Sequence, residues 1–548
     1  MTQEKTLFVR AASGLVREMS TLSSSVYNVA CALGGSAGNQ IATPAVLPAF
    51  IIFGVTSYSL GMGIATVAFI PFCLIYFALV ACMPRTGGDY TFTTRITSPI
   101  LGWIEAWTLV FACLALVGYA LWLSGLAVAS TFLTFWVTTG DQVWFAASQL
   151  VVSKTGLVAI GLIILVFIFV QNFISSGTYY RIFGYVGLVS AVLTCLMIVP
   201  LFAGDAASYA SGFERFTGMS PSSVIALAQE NGMMIGTFEW MSLITIVSMA
   251  VFTYIGFQYS IYLAGELKGN VKRNAMISVF VGLLAAALVN VVLVNVVLVR
   301  YGYELNMAWS SLFWFAPQSA PFGGAQPWMM LMTAMARPDL GILSSLASVG
   351  TLILLVLLAS GWTVLVSRII FAWSMDRVVP KWFAEVNART NSPLRLMVLS
   401  SVGVFVYFIL ALFGANPSSL FWYIILLAAP SVIMPGFNAI LLPKRRPDLY
   451  ELAPSSVRRT ILGVPVISIL GAIWSVFIVV VYGVAFVWPV LNAGVSSAAE
   501  WVVYSTSTGI VHVIIIAIVG IAIWVASREY NKRKGIDVDA IFRTVPPE

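Results

Sequence analysis

The sequence predicts an all-α polytopic membrane protein: twelve spanning helices, arranged as two inverted five-helix repeats plus two peripheral helices. Three observations predict it. The chain is 60% hydrophobic and 9% charged, against roughly 25% charged in soluble domains. Apolar runs of about 20 residues, each long enough to cross a bilayer, recur from end to end. Two of those runs, the first and the sixth, are interrupted by small and polar residues. That spacing suits inverted repeats that each open on a discontinuous helix.

The elements follow in order. An N-terminal segment, 1–23, carries Lys5, Arg10 and Arg17 without a cleavage-type apolar core, so no cleavable leader is expected. The first span, 24–49, contains Gly34-Gly35-Ser36-Ala37-Gly38-Asn39. Spans at 54–82, 100–136, 154–175 and 182–203 complete a first repeat over 24–203. An outer connection, 204–240, leads to the sixth span, 241–266, with its weak point at Phe252-Thr253-Tyr254-Ile255-Gly256-Phe257-Gln258. Spans at 274–300, 341–375, 395–413 and 418–442 complete a second repeat over 241–442. Its outer loop, 301–340, is expected to hold a short helix from Gln326 to Ala336. Pro430 and Pro435 are placed to bend the tenth span, as a gate or as a plain kink. A loop, 443–460, precedes the peripheral spans 461–489 and 506–527, and 528–548 is a tail expected to be mobile from Asp537 onward.

Charge sets the orientation. With the N-terminus inside, Lys154, Arg215, Arg300 and Arg337 alone of 28 basic residues fall outside. The others cluster on the inner side, as in Lys268-Lys272-Arg273, Lys444-Arg445-Arg446 and Lys532-Arg533-Lys534, which places both termini in the cytoplasm of a plasma-membrane protein. The net charge of +7 is thus topological bias and gives no reason to expect a nucleic acid partner. The five cysteines all fall in apolar segments, and the single histidine, His512, excludes a His-rich metal centre. Scattered carboxylates and one histidine also argue against an enzyme, which needs clustered acid, base or metal groups.

An unwound helix in a bilayer frees backbone groups that lipid cannot satisfy, so it persists only inside protein or along a cavity. A restarting helix offers N–H groups and a positive dipole end to a carboxylate. An ending half-helix offers carbonyls to an ammonium group or a metal cation. A zwitterionic amino acid needs both, and neither interruption carries a charged side chain. Glycine-rich segments also serve close helix packing; the paired placement favours a site.

Among intramembrane polar residues, Glu105 is a functional candidate by its chemistry. It either pairs with Arg95 near the inner surface or takes part in ion coupling. Ser360 and Thr363 could offer oxygens to a sodium ion, or bond back to their own helix. No cofactor is expected; a coupling ion would be a proton or sodium.

Several motifs resemble the amino acid–polyamine–organocation (APC) superfamily of permeases. Pro84-Arg85-Thr86-Gly87-Gly88-Asp89-Tyr90 is similar to its P-R-x-G-G-x-Y loop between helices 2 and 3. Phe252 through Gly256, then Glu266, Lys268, Asn270 and Arg273, resembles the sixth helix and its inner exit. Ser367-Arg368, Met375-Asp376-Arg377, Pro380-Lys381 and Val386-Asn387 resemble the region after helix 8, and Arg446-Pro447-Asp448-Leu449 the R-P-D-L before helix 11.

The resemblance implies a LeuT-like core working by alternating access, with substrate at the breaks of helices 1 and 6. Carried over, Gly34, Gly35, Ser36, Ala37 and Gly38 would face the substrate carboxylate. Phe252, Tyr254 and Ile255, beside Gly256, would give carbonyls to its amino group, and Phe252 would be an aromatic gate. The sequence departs from the family in four places. The helix 1 motif is stretched to Gly-Gly-Ser-Ala-Gly. Helix 5 has Arg181 and no lysine, so a lysine-based proton mechanism is not expected. Asp376-Arg377 inverts the usual order, and Gln258 stands where antiporters often have Glu. The expected function is secondary active transport of a neutral amino acid. Its rivals are an exchanger or polyamine carrier of the same fold, and a membrane nutrient receptor that does not transport. The oligomeric state is open.

Overall fold

The computed structural model describes residues 8–9, 12–33, 58–233, 240–413, 417–491 and 497–547. Apart from a small hairpin pairing Thr460–Ile461 with Val464–Pro465, the regular structure among them is helical. The principal helices are α1 (Thr21–Leu33), α2 (Tyr58–Cys82), α3 (Asp89–Ile96), α4 (Pro99–Thr139), α5 (Lys154–Gln171) and α6 (Ser176–Cys195). There follow α7 (Trp240–Tyr254), α8 (Val271–Ala287), α9 (Gly341–Met375), α10 (Leu394–Phe413) and α11 (Pro417–Arg445). Last come α12 (Val466–Leu491), α13 (Ser497–Arg533) and a short α14 (Val538–Arg543). Beyond α8 the helix runs on through a π turn, Leu288–Leu293, into Val294–Tyr301.

Ten helices among the described residues are long and apolar enough to cross a membrane. The sequence's first and sixth spans are not among them. α1 has 13 residues and is followed by Gly34–Gly38, which lie outside the described residues; α7 has 15.

Helix ends follow local chemistry. α4 starts on Pro99, where the missing N–H is one the first turn leaves unpaired anyway. Ser175 caps α6 by accepting the Thr178 N–H, and Asn270 caps α8 by accepting that of Arg273. In the outer connections, Asp205 and Ser208 form a capping box for Ala206–Thr217, and Met329–Ala336 occupies most of the expected Gln326–Ala336 helix. Pro430 and Pro435 lie within α11.

α4 and α9 pack along each other at the centre. α6 lies on α9, α10 and α11 lie on α4, and α1 is held among α6, α8 and α9. Polarity is inverted relative to a soluble bundle. Ser124, Thr134, Ser190 and Thr351 are buried, whereas Val166, Phe167, Val189, Val192, Ile514 and Ile518 face outward. Buried hydroxyls bond backward, as in Ser124 to the Ala120 carbonyl and Ser190 to that of Val186, which satisfies them without a partner helix.

The tail does not follow the expectation of mobility. Val538, Ile541 and Phe542 are buried. The Phe542 ring lies 5.6 Å from that of Trp524 and 5.2 Å from the Arg95 guanidinium carbon. Arg85 Nε donates to the Pro546 carbonyl at 2.8 Å, and Arg95 Nε to that of Thr544 at 3.3 Å. Residues 537–547 thus form a strap across the basic end of the bundle. Phe542→Ala is expected to weaken its seating by about 2 kcal/mol. Faster amide exchange confined to Val538–Thr544 would report this; unchanged exchange there would refute it.

Candidate functional site

α7 stops at Tyr254. Gly256 then takes φ +116°, a region closed to most L-residues. The chain turns through Phe257 and Gln258 and resumes as 3-10 turns at Tyr259–Tyr262 and Ala264–Glu266. Ending a helix here leaves the carbonyls of its last turn without successor N–H groups. Phe257 N–H reaches back to the Tyr254 carbonyl across 3.5 Å, and the buried Gln258 Oε1 accepts the Gly256 N–H at 3.3 Å.

α1 lies directly on this turn. A Cβ on Gly256 would stand 2.6 Å from the Cys31 carbonyl oxygen. Asn28 Oδ1 accepts the Ser260 N–H at 2.8 Å, and its Nδ2 donates to Ser260 Oγ at 3.0 Å. From α9, the Trp362 indole N–H donates to the Cys31 carbonyl at 3.2 Å, and Gly361 O accepts the Tyr27 hydroxyl at 2.5 Å. The end of α1 is therefore fixed against the interruption from two sides.

Of the expected site residues, Tyr254, Ile255 and Gly256 come together at this turn, and the backbone of Phe252 lies in the last turn of α7. The Phe252 side chain lies outside the described residues, as do Gly34, Gly35, Ser36, Ala37 and Gly38, which follow directly on Leu33. Tyr254 is buried, its hydroxyl 2.5 Å from Thr66 Oγ1, and the Phe69 ring sits 5.3 Å from both Tyr254 and Phe257.

Ser360 and Thr363 already have protein partners. Ser360 Oγ donates to Gln171 Oε1 at 2.6 Å and lies 2.9 Å from the Tyr179 hydroxyl. Thr363 bonds back to the Ala359 carbonyl at 2.8 Å.

Toward the basic end, buried charges tie the elements together. Glu266 accepts from Arg368 Nε at 2.7 Å, from Arg368 Nη2 at 3.0 Å and from the Tyr180 hydroxyl at 2.9 Å. This joins the exit of the interrupted segment to α9 and α6. Lys268 N–H and Met19 N–H exchange backbone bonds with Met19 O and Glu266 O, at 2.9 Å each. Arg95 makes a two-pronged bond to Asp376 at 2.6 and 2.7 Å, with both side chains buried. The expected Glu105–Arg95 pairing is therefore not formed: Arg95 is occupied by Asp376, and the polar side chain set against Glu105 is that of Thr93.

Asp89 opens α3 fully buried, its Oδ2 accepting the Tyr76 hydroxyl at 2.7 Å and also that of Tyr262. Burial pushes its carboxyl above the ordinary range, against the two phenol bonds, which pull it down. A carboxyl that keeps its proton longer when folded supports the fold at low pH and loses that contribution as pH rises through the raised value.

The sequence reading does not single out Asp89 or the Glu266–Arg368 pair as a site. For Arg368 the available signal is a cation inside the apolar run 341–375, which must find an anion.

Residues 18–514 match the profile of a family described as amino acid permease. Among curated proteins, none matches the chain.

Proposed function

The chain belongs to the amino acid permease family, and from that premise we propose that it is a secondary active transporter of neutral amino acids. It works by alternating access across the plasma membrane with both termini cytoplasmic. In this reading the first and sixth of twelve spans are broken helices that open two inverted five-helix repeats. The observation that carries it is the end of α7 at Tyr254, with Gly256 pressed on α1 at Cys31.

Carbonyls from the end of α7 receive the substrate ammonium group, and N–H groups of Gly34–Gly38 receive its carboxylate. Phe252 gates the pocket. No charged side chain stands at either interruption, which selects substrates of no net side-chain charge. Uptake is driven by a proton or sodium gradient, and the ion biases which face of the site is populated.

The test is uptake into liposomes of a panel of common amino acids, with separate proton and sodium gradients. Accumulation of neutral members is expected, with cationic members and polyamines excluded. Counterflow without response to either gradient would make the protein an exchanger. Binding without accumulation under any gradient would make it a receptor.

A further inference from the structure

Among the described residues, two buried carboxyls beyond the substrate site, Asp89 and Glu105, have no cationic partner. Glu105, in the second turn of α4, is 1% exposed, with the Thr93 side chain of α3 as its hydrogen-bonding neighbour. Asp89 is equally buried; its Oδ2 takes two phenol hydroxyls while Oδ1 takes none. α3 carries Asp89 and Thr93 one turn apart on one face and packs along α4, which brings Asp89 to the side of the helix where Glu105 lies.

Among the described residues, no cation answers them from the surrounding elements. Arg95 on α3 is taken by Asp376, and Arg368 on α9 by Glu266. α2 contributes Tyr76, and the 3-10 segment contributes Tyr259 and Tyr262. α11 contributes Asn438, which donates to Thr93 Oγ1 at 2.8 Å. α13 meets α4 through the Trp103 and Trp107 indoles on the carbonyls of Gly520 and Ile516.

Two neighbouring carboxylates without a cation cannot both stay ionised in a dry interior. Resting on the transport reading above, we propose that Asp89 and Glu105 together hold one proton and form the acceptor for the coupling ion. In the loaded pair the proton sits on Glu105 Oε and Asp89 remains the carboxylate that receives Tyr76 and Tyr262. Release takes the proton to water and leaves two negative charges, which the site sustains only when hydrated. Discharge therefore accompanies opening of the basic end.

The link to the substrate is short. Tyr262 follows the interruption at Gly256, and its carbonyl accepts the Gly87 N–H at 3.0 Å. The loop holding Asp89 and the exit segment of the interruption are thus bonded to each other by both backbone and side chain. Hydration that parts Tyr262 from Asp89 moves that segment.

The experiment uses the full chain in nanodiscs and in liposomes. Infrared difference spectra between acid and alkaline pH are expected to contain a protonated carboxyl band that is lost in Glu105→Gln and shifted in Asp89→Asn. In liposomes holding a pH dye, the amino acid that gives wild-type counterflow is expected to drive proton entry, and Glu105→Gln to abolish it. Glu105→Asp, which keeps the acid, is expected to restore both signals with a displaced pH profile; it also stands in if the Gln variant does not fold.

A band unchanged in Glu105→Gln, wild-type proton entry in that variant, or wild-type uptake driven by sodium with no proton entry would each overturn the proposal. A wild type with the Glu105-dependent band but no counterflow of any common amino acid overturns the transport reading and leaves the proton site standing.

Discussion

Arg368→Ala is expected to cost the protein about 3–5 kcal/mol of stability, because it strands a buried carboxylate. Glu266 is buried, and beyond Arg368 its side chain accepts from Tyr180. One phenol cannot replace a two-pronged guanidinium, whose charge and fork geometry both match the carboxylate. The pair's net worth is smaller than the penalty for breaking it, since desolvation consumes much of the Coulomb gain. Removing both charges in Glu266→Gln with Arg368→Met is therefore expected to recover most of the loss. Thermal unfolding of the purified variants measures both. A double variant as unstable as Arg368→Ala would mean the penalty comes from lost packing and not from a stranded charge.

The second large effect is expected at Gly256. Gly256→Ala puts a Cβ 2.6 Å from Cys31 O and 2.8 Å from its carbonyl carbon, at φ +116°. Backbone strain of about 1–3 kcal/mol adds to overpacking of about 1–3 kcal/mol. The atoms that would have to yield belong to backbone, so relaxation displaces the end of α1. Substrate binding should be lost in whatever fraction folds. Gly63→Ala is the control: it lies within α2 with nothing within 4 Å of the added methyl, and should stabilise by about 0.5–1 kcal/mol. Equal behaviour of the two variants in binding and unfolding would remove the close contact from the account.

Much of the helical plan was legible because bilayer-length apolar runs announce themselves by composition. The turn after α7 was legible too, since Gly256 among Tyr254, Phe257 and Gln258 disrupts an apolar helix by residue type alone. Partners across the fold were not. Arg95 and Asp376 are 281 positions apart, and nothing local to Arg95 distinguishes Asp376 from the nearer Glu105. Asp89 reads as a loop residue because hydropathy registers polarity, not the packing of α3 beneath α4. The strap misled for a related reason. Val538, Ile541 and Phe542 carry the helical i, i+3, i+4 spacing, but over a stretch too short and too charged to stand out. The turn at Tyr254, Ile255 and Gly256 could be placed from sequence, whereas its packing on α1 at Cys31 could not.

The strap also has a concentration. Residues 537–547 are joined to the end of α13 by a few residues, and Arg528 holds Asp539 at 2.7 Å. A segment tethered so closely meets its seat at an effective concentration of order millimolar. After any opening of the basic end it returns as a first-order event, independent of how much protein the membrane holds. A free peptide of the same sequence competes with it only at about that millimolar level. Below that level, the strap's return to its seat is set by the chain's own connectivity.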